Sequence, residues 1–151
     1  MMKIVVMAMS DIITALYCRS AQKCDDAISI QEAMLRKYTT ENGYNNISVY
    51  VDNGFSGLRI NDRPGLGEIR QGMANSSIGS IIVKDFSRIA RGVHPLWEFV
   101  NEAERHGVAL ISVNDGQFNS VFGDLLTRVT REWIKSSGGA VLYTGKLATK
   151  P

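Results

Sequence analysis

The sequence is poor in the residues that build metal centres and disulfide frameworks. Among its 151 residues are two cysteines, Cys18 and Cys24, and two histidines, His94 and His106. No second cysteine pair and no neighbouring histidine completes a zinc-type ligand set around them. We therefore expect reduced thiols, and neither a bound metal nor a cofactor.

The sequence also lacks long apolar runs and a large excess of either charge. No run approaches the roughly 18 apolar residues of a membrane-spanning helix. Residues 1–9 are apolar around Lys3, but Asp11 follows and no small-residue cleavage pattern does, which argues against a signal peptide. Lysine and arginine exceed aspartate and glutamate by only 17 to 15, a balance too small to hold a polyanion by itself. The composition predicts a soluble, cytoplasmic protein without membrane contact and leaves nucleic-acid binding undecided.

Apolar periodicity predicts an alternation of strands and helices. Short apolar or alternating runs at residues 12–17, 47–51, 80–83 and 108–113 are typical of strands, and amphipathic stretches lie between them. Such an alternation favours parallel strands joined by helical crossovers. The fold class is therefore predicted as α/β, a mostly parallel central sheet flanked by helices.

Caps, prolines and glycines predict where the helices begin and end. The capping-box pattern of residues 29–32 predicts the start of the first helix, and Pro64 and Pro95 are suited to open the next two. Gly43 and Gly107 are placed to end helices in a left-handed conformation. The inward faces predicted from apolar spacing are Ile30, Ala33, Met34 and Tyr38, then Leu66, Ile69 and Met73, then Leu96, Phe99, Val100 and Ala103.

One globular domain, residues 12–120, accounts for most of the chain. Residues 1–11 are an N-terminal extension, an edge strand or sequence upstream of the true start, and residues 138–151 are a tail. Residues 121–137 are predicted to form a helix, whose heptad-like stripe of apolar residues could pack on its own domain or on another chain. No helix-turn-helix or zinc-ribbon pattern follows, so we expect no DNA-reading domain in this sequence. The stripe consists of Phe122, Leu126, Val129 and Trp133.

The turn after the first predicted strand contains no glycine. Residues 18–23 therefore cannot bring backbone amides to a pyrophosphate as a dinucleotide-binding fingerprint does, and no Walker-type loop occurs elsewhere. Dinucleotide and ATP binding are disfavoured.

Arginines and small polar residues follow the predicted strands instead. The carboxyl ends of parallel strands meet at one edge of the sheet, where ligands gather. Guanidinium groups converging there without matching carboxylates would repel one another, so the expected ligand is an anion. Phosphate is a suitable anion, because its oxygens match the planar guanidinium group. Each residue alone is an ordinary surface or capping residue, and only their joint placement favours a site. The residues are Arg19, Ser20, Asp52, Ser56, Arg63, Lys84, Asp85, Ser87, Arg88 and Arg91.

Five ordered segments of the chain resemble the serine recombinases, the family of resolvases, invertases and transposon or phage integrases. The segments are Leu-Tyr-Cys-Arg at 16–19, Tyr-Val-Asp-Asn-Gly-Phe-Ser-Gly at 50–57, Asn-Asp-Arg-Pro-Gly at 61–65, Val-Lys-Asp-Phe-Ser-Arg-Ile-Ala-Arg at 83–91 and Ile-Ser-Val-Asn-Asp-Gly at 111–116. The pattern is most similar to recombinases of conjugative transposons in Gram-positive bacteria. The resemblance implies a resolvase-like fold, DNA strand cleavage and rejoining through a phosphoserine link, DNA as partner and a homodimer or higher oligomer.

The resemblance also implies roles for single residues. Phosphate-binding arginines would be Arg19, Arg63, Arg88 and Arg91, and supporting polar residues would be Gln31, Asp52, Ser56 and Ser87, the last standing where many members have aspartate.

The chain departs from the family where the nucleophilic serine belongs, two positions after the first arginine. Ala21 stands there, and Ser20 is next to it. On an extended segment the side chain of Ser20 should point away from that of Arg19. Cys18 is a further substitute nucleophile, although a cysteine there is expected to pack in the core.

Three hypotheses remain open at this point. The chain is a working recombinase domain that uses Ser20, a non-catalytic relative that keeps the arginine crevice and pairs with itself or with an active recombinase, or a phosphate-binding domain of unrelated chemistry. It is also either part of a longer recombinase or a short relative.

Overall fold

The computed structural model describes residues 11–114 and 116–117. The chain forms β1 (Ile13–Ser20), α1 (Asp25–Glu41), β2 (Ile47–Asn53), α2 (Pro64–Ala74) and β3 (Ile78–Val83). A short 3-10 turn (Phe86–Arg88), α3 (Val93–Arg105), β4 (Ala109–Ser112) and β5 (Gly116–Gln117) follow. The predicted helix 121–137, the tail 138–151 and nearly all of the N-terminal segment lie outside the described residues. None of the helices described is long and apolar enough to span a membrane.

The strands form one sheet in the order β2-β1-β3-β4-β5. The first four strands are parallel, and β5 pairs antiparallel with β4. This confirms the predicted α/β fold with a mostly parallel sheet. Because the chain leaves β1 to one side for β2 and returns to the other for β3, the carboxyl end of β1 lies at the change of direction where α/β proteins bind ligands.

The two faces of the sheet carry separate apolar clusters. Ala15 and Tyr17 of β1 pack with buried residues of α2 and α3, whereas Leu16 and Cys18 pack with Leu35 of α1. This alternation follows from the two-residue period of a strand, and it requires β1 to be apolar on both faces. The result is three layers, with α1 on one face and α2 and α3 on the other.

The first helix begins earlier than the sequence pattern predicts. It starts at Asp25 with Cys24 as N-cap, so Ser29 lies inside the helix and the predicted capping box is wrong. Asp25 and Asp26 occupy the first turn, where a carboxylate is favoured by the partial positive charge of the helix N-terminus.

The inward face predicted for α1 is wrong at Ile30 and Ala33, whereas Tyr38 is partly buried against the apolar cluster that contains Leu35. Ile30 is 65% exposed, Ala33 is exposed as well, and the buried residues are Gln31, Leu35 and Thr39. Two of these three are polar, so apolar spacing pointed to a neighbouring face. The helix is rotated to let Gln31 reach the backbone of β1, a contact described below.

The later helices agree more closely with the pattern. Pro64 is the first residue of α2, as predicted. The third helix begins at Val93 rather than at Pro95, and a proline fits there because the first amides of a helix have no intrahelical acceptor. All the apolar residues predicted to face inward in α2 and α3 are buried.

Two glycines have the left-handed backbone that the sequence analysis predicted. Gly43 has φ +72° after α1, and Gly107 has φ +68° after α3. Gly67 lies within α2 and has no positive φ. A methyl group at any of the three would meet no atom within 4 Å. The three sites therefore differ in backbone conformation and not in space.

Gly43→Ala and Gly107→Ala should each lower the free energy of unfolding by about 1 to 2 kcal/mol, because alanine is strained at positive φ. Gly67→Ala is the matched control and should raise it by up to about 1 kcal/mol through helix propensity. Urea unfolding followed by circular dichroism measures all three. The same sign at all three positions would contradict the assigned backbone conformations.

Candidate functional site

Three loops meet at the carboxyl edge of the sheet, where β1, β2 and β3 end. The backbone carbonyl of Ser20 accepts hydrogen bonds from the amides of Gly54 (2.8 Å) and Phe55 (3.0 Å). The amide of Arg91 donates to the carbonyl of Gly57 at 3.1 Å. The loop after β2 is therefore tied to the loops after β1 and β3.

Arg19 lies at the centre of this edge with a fully buried side chain. Its Nε donates to the carbonyl of Arg88 (2.9 Å), its Nη1 to that of Phe55 (2.9 Å) and its Nη2 to that of Ser87 (2.8 Å). All three nitrogens of the guanidinium thus bind backbone oxygens from two different loops. The side chain holds these loops together.

Arg63 is the second buried arginine of the site. Its Nε donates to the carbonyl of Arg59 at 3.1 Å, and its Nη1 donates to the carbonyls of Arg88 (3.0 Å) and Ile89. The carbonyl of Arg88 therefore accepts from both buried arginines, which fix the 3-10 turn from two sides.

Arg88 and Arg91 extend from the segment that the buried arginines hold. The Nη1 of Arg88 donates to the carbonyl of Arg19 at 3.2 Å, and its Nε lies 3.7 Å from a carboxylate oxygen of Asp85. That Nε and the Nη2 of Arg63 are buried without a hydrogen-bond partner among the described residues. Arg91 is exposed.

The four arginines lie close enough to act on one another electrostatically. Burial lowers the pKa of Arg19 most, followed by the positive charge of Arg63. Tyr17 opposes this lowering, and the charges of Arg88 and Arg91 lower the pKa by smaller amounts. Within the described residues, only Arg88 of the four has a carboxylate within 4 Å. The structure thus brings together the arginines singled out from the sequence and leaves their charge largely unneutralised. An anion bound there would relieve this repulsion.

Gly57 separates two of these arginines. A methyl group at this position would lie 2.7 Å from Cγ of Arg91 and 2.8 Å from Nη2 of Arg19. Only a residue without a side chain lets both arginines approach the loop so closely. The sequence showed a glycine in a polar loop, but not which side chains it accommodates.

Asp52 lies beneath the site and is buried. Its two oxygens accept hydrogen bonds from the amides of Gly65 (2.7 Å) and Leu66 (2.9 Å) at the start of α2, and from the hydroxyl of Tyr17 (2.7 Å). Burial, then the hydrogen bond and charge of Asp52, raise the pKa of Tyr17 against the opposing charge of Arg63. Asp52 therefore anchors α2 to β1 and places Arg63, which directly precedes the helix.

Gln31 completes the end of β1. Its side-chain oxygen accepts from the amide of Arg19 (3.2 Å), and its side-chain nitrogen donates to the carbonyl of Arg19 (3.0 Å). Asn53 acts similarly one strand away, accepting from the amide of Cys24 and donating to Asp25, both at 2.8 Å. Sequence reasoning missed Asn53, because an asparagine in a glycine-rich loop also reads as an ordinary turn residue.

The hydroxyl groups near the site are engaged locally. That of Ser20 donates to the carbonyl of Gln22, that of Ser56 accepts from the amide of Leu58 at 3.1 Å, and that of Ser87 donates to the carboxylate of Asp85. None of these contacts involves an arginine of the site. Ala21 is exposed.

Cys18 is unsuited to act as a substitute nucleophile. Its thiol is fully buried, and burial raises its pKa to about 12. A thiol in that state carries almost no thiolate at neutral pH.

Comparison with known proteins agrees with this architecture. A family model described as the resolvase N-terminal domain matches residues 14–132. Among curated proteins no sequence matches significantly. The similarity to recombinases of conjugative transposons stays a prediction.

Several solved structures share the fold. The N-terminal catalytic domain of TP901-1 integrase is 23% identical with a TM-score of 0.71, over 82% of this chain and 97% of that one. A resolvase family site-specific recombinase from Streptococcus pneumoniae is 23% identical with a TM-score of 0.65, over 84% and 93% of the two chains. The C-terminal catalytic domain of ISC1926 TnpA, an IS607-like serine recombinase, is 22% identical with a TM-score of 0.60, over 87% and 89%.

The family model covers more than half of the chain, and the sheet order and arginine cluster lie within the region it matches. The chain therefore belongs to the resolvase family of serine recombinases, which cleave and rejoin DNA strands in site-specific recombination.

Proposed function

We propose that this domain binds a phosphodiester of the DNA backbone at the arginine cluster, and that Ala21 prevents it from cleaving the strand. The observation that carries the proposal is the convergence of Arg19, Arg63, Arg88 and Arg91, with a single carboxylate contact to them from the part of the chain that the structure describes. A phosphate is the anion that family membership supplies, and it matches the guanidinium group in geometry and charge.

The four arginines have different tasks in this proposal. Arg19 and Arg63 are positioning residues, because all three guanidinium nitrogens of Arg19 and two of those of Arg63 already bind backbone carbonyls. Arg88, which is partly exposed, and Arg91, which is exposed, contact the phosphate. Gln31, Asp52, Ser56 and Ser87 support the backbone through the contacts described above and do not touch the phosphate.

Strand cleavage in this family requires a serine hydroxyl to attack phosphorus, lose its proton and form a phosphoserine bond as the sugar oxygen leaves with a proton. The methyl group of Ala21 has no such oxygen. The hydroxyl of Ser20 donates to the carbonyl of Gln22, and neighbouring side chains on a strand point to opposite faces. A non-catalytic member that binds DNA is therefore the function that the site supports best, and a cytoplasmic location is part of the same proposal.

Oligomerisation is a further part of the proposal. A homodimer or higher oligomer, or a hetero-oligomer with an active recombinase, is consistent with the family and with the apolar stripe of residues 121–137. Light scattering across the micromolar range should give a mass above that of one chain. A mass of one chain at every concentration would contradict this part.

Ala21→Ser should give the domain a nucleophile at the family position. The variant should form a covalent protein–DNA adduct with labelled duplex DNA of random sequence, seen as a band that survives denaturing electrophoresis. The unaltered protein and Ser20→Ala should form none. An adduct from the unaltered protein that Ser20→Ala abolishes would show that Ser20 is the nucleophile and overturn the proposed inactivity.

Arg19→Lys and Arg91→Lys distinguish an arginine that positions the loops from one that contacts the phosphate. One ammonium group cannot bind the three differently placed carbonyls around Arg19, so Arg19→Lys should lower the free energy of unfolding by about 3 kcal/mol. The exposed Arg91→Lys should change it by no more than about 0.5 kcal/mol. Urea unfolding measures both, and equal effects would contradict the proposed division of tasks.

A further inference from the structure

Three exposed cations lie at the rim of the arginine cluster. Lys23 follows β1, Arg59 lies in the loop after β2, and Arg91 lies in the loop after β3, and all three are exposed. None of them has a carboxylate within 4 Å among the described residues. We call these three residues the rim cations, of which Arg91 is also the exposed member of the arginine cluster.

The rim cations lie along one short stretch of chain, from Gly54 to Arg59. A methyl group at Gly54 would lie 3.6 Å from both the amide nitrogen and Cβ of Lys23, so Lys23 adjoins the start of this stretch. Arg91 adjoins Gly57 in the same way and donates its amide to the carbonyl there. Six residues extend over at most about 20 Å. The backbones of the three residues therefore lie within a distance that a few successive phosphates of one DNA strand would cover.

The nearby carboxylates weaken this charge unequally. Asp25 and Asp26 begin α1 beside Lys23, although Asp25 accepts a hydrogen bond from Asn53 and both are offset by the helix N-terminus. Asp62 is exposed in the loop that contains Arg59. We therefore expect Arg59 and Arg91 to contribute more than Lys23.

We propose that the rim cations form a track that binds successive phosphates of one DNA strand and leads it to the arginine cluster. Lysine and arginine side chains that bind phosphates carry no sequence information, so the track holds and orients DNA without selecting a sequence. This inference rests on the proposed function, because the track serves a cluster that receives a DNA phosphate.

The salt dependence of DNA binding tests the track. Each phosphate contact contributes about 0.9 to the slope of log affinity against log salt concentration. Lys23→Gln and Arg59→Gln should each make that slope shallower, by up to about 0.9, and weaken binding by up to about 8-fold near 0.1 M salt. Fluorescence anisotropy with a labelled mixed-sequence duplex gives affinity and slope together.

Arg105→Gln is the matched control for charge. Arg105 is an exposed cation at the last residue of α3, at the edge of the sheet opposite the strand carboxyl ends. Its loss removes the same unit of charge but should leave the slope unchanged. Circular dichroism melting of each variant verifies that the fold is retained.

Two outcomes separate this inference from the proposed function. If Lys23→Gln and Arg59→Gln bind with the slope of the unaltered protein while Arg88→Gln weakens binding, the track is wrong and the arginine cluster still binds DNA. If Arg88→Gln and Arg91→Gln also leave binding unchanged, the proposed function fails together with the track. Equal slope changes for Arg105→Gln and Arg59→Gln would show a general charge effect and overturn the track as well.

Discussion

The carbonyl oxygen of Arg88 accepts hydrogen bonds from two buried guanidinium groups, those of Arg19 and Arg63. Around this oxygen, the same two side chains bind backbone oxygens of both loops that flank the site. A charged group buried without a carboxylate costs free energy unless its hydrogen-bonding capacity is met. Backbone carbonyls meet much of it here while leaving the net positive charge in place. The rest of the site depends on this arrangement.

The arrangement is compatible with the proposed phosphate site, because the buried arginines stabilise the loops and keep their positive charge. Arg88 and Arg91 extend from a segment whose backbone is held by the buried arginines and by the carbonyl of Gly57, so the proposed binding of a phosphate needs little reordering of that backbone. Asp52 and Gln31 fix the same framework from below, one by capping α2 and the other by pairing with the backbone of Arg19. Under the proposed function, binding and cleavage are separable, because the framework is formed although alanine stands at position 21.

Local patterns predicted much of the fold. The strands, the start of α2 at Pro64 and the left-handed glycines at 43 and 107 were visible because each depends on residues adjacent in sequence. The rotation of α1 was not visible, because Gln31 faces inward through hydrogen bonds to a residue 12 positions away. Apolar spacing has no means of showing such a contact.

For the site too, sequence patterns showed what depends on neighbouring residues and missed what depends on contacts between distant ones. Strand ends placed the arginines at one edge, and the resemblance to serine recombinases singled out four that lie close together in the structure. Nothing in the sequence distinguished Arg19 and Arg63, which bind carbonyls in the interior, from Arg91, which is exposed. That difference arises from loops brought together only in the folded chain, as the contact between Gly57 and Arg91 shows.

A crystal structure of the domain bound to duplex DNA tests the central claim most directly. The account predicts a backbone phosphate within hydrogen-bond distance of the guanidinium groups of Arg88 and Arg91, with those of Arg19 and Arg63 still bound to the carbonyls of residues 55, 59 and 87–89. A phosphate held by Arg19 or Arg63 after release of those carbonyls, or DNA bound at another surface, would contradict it.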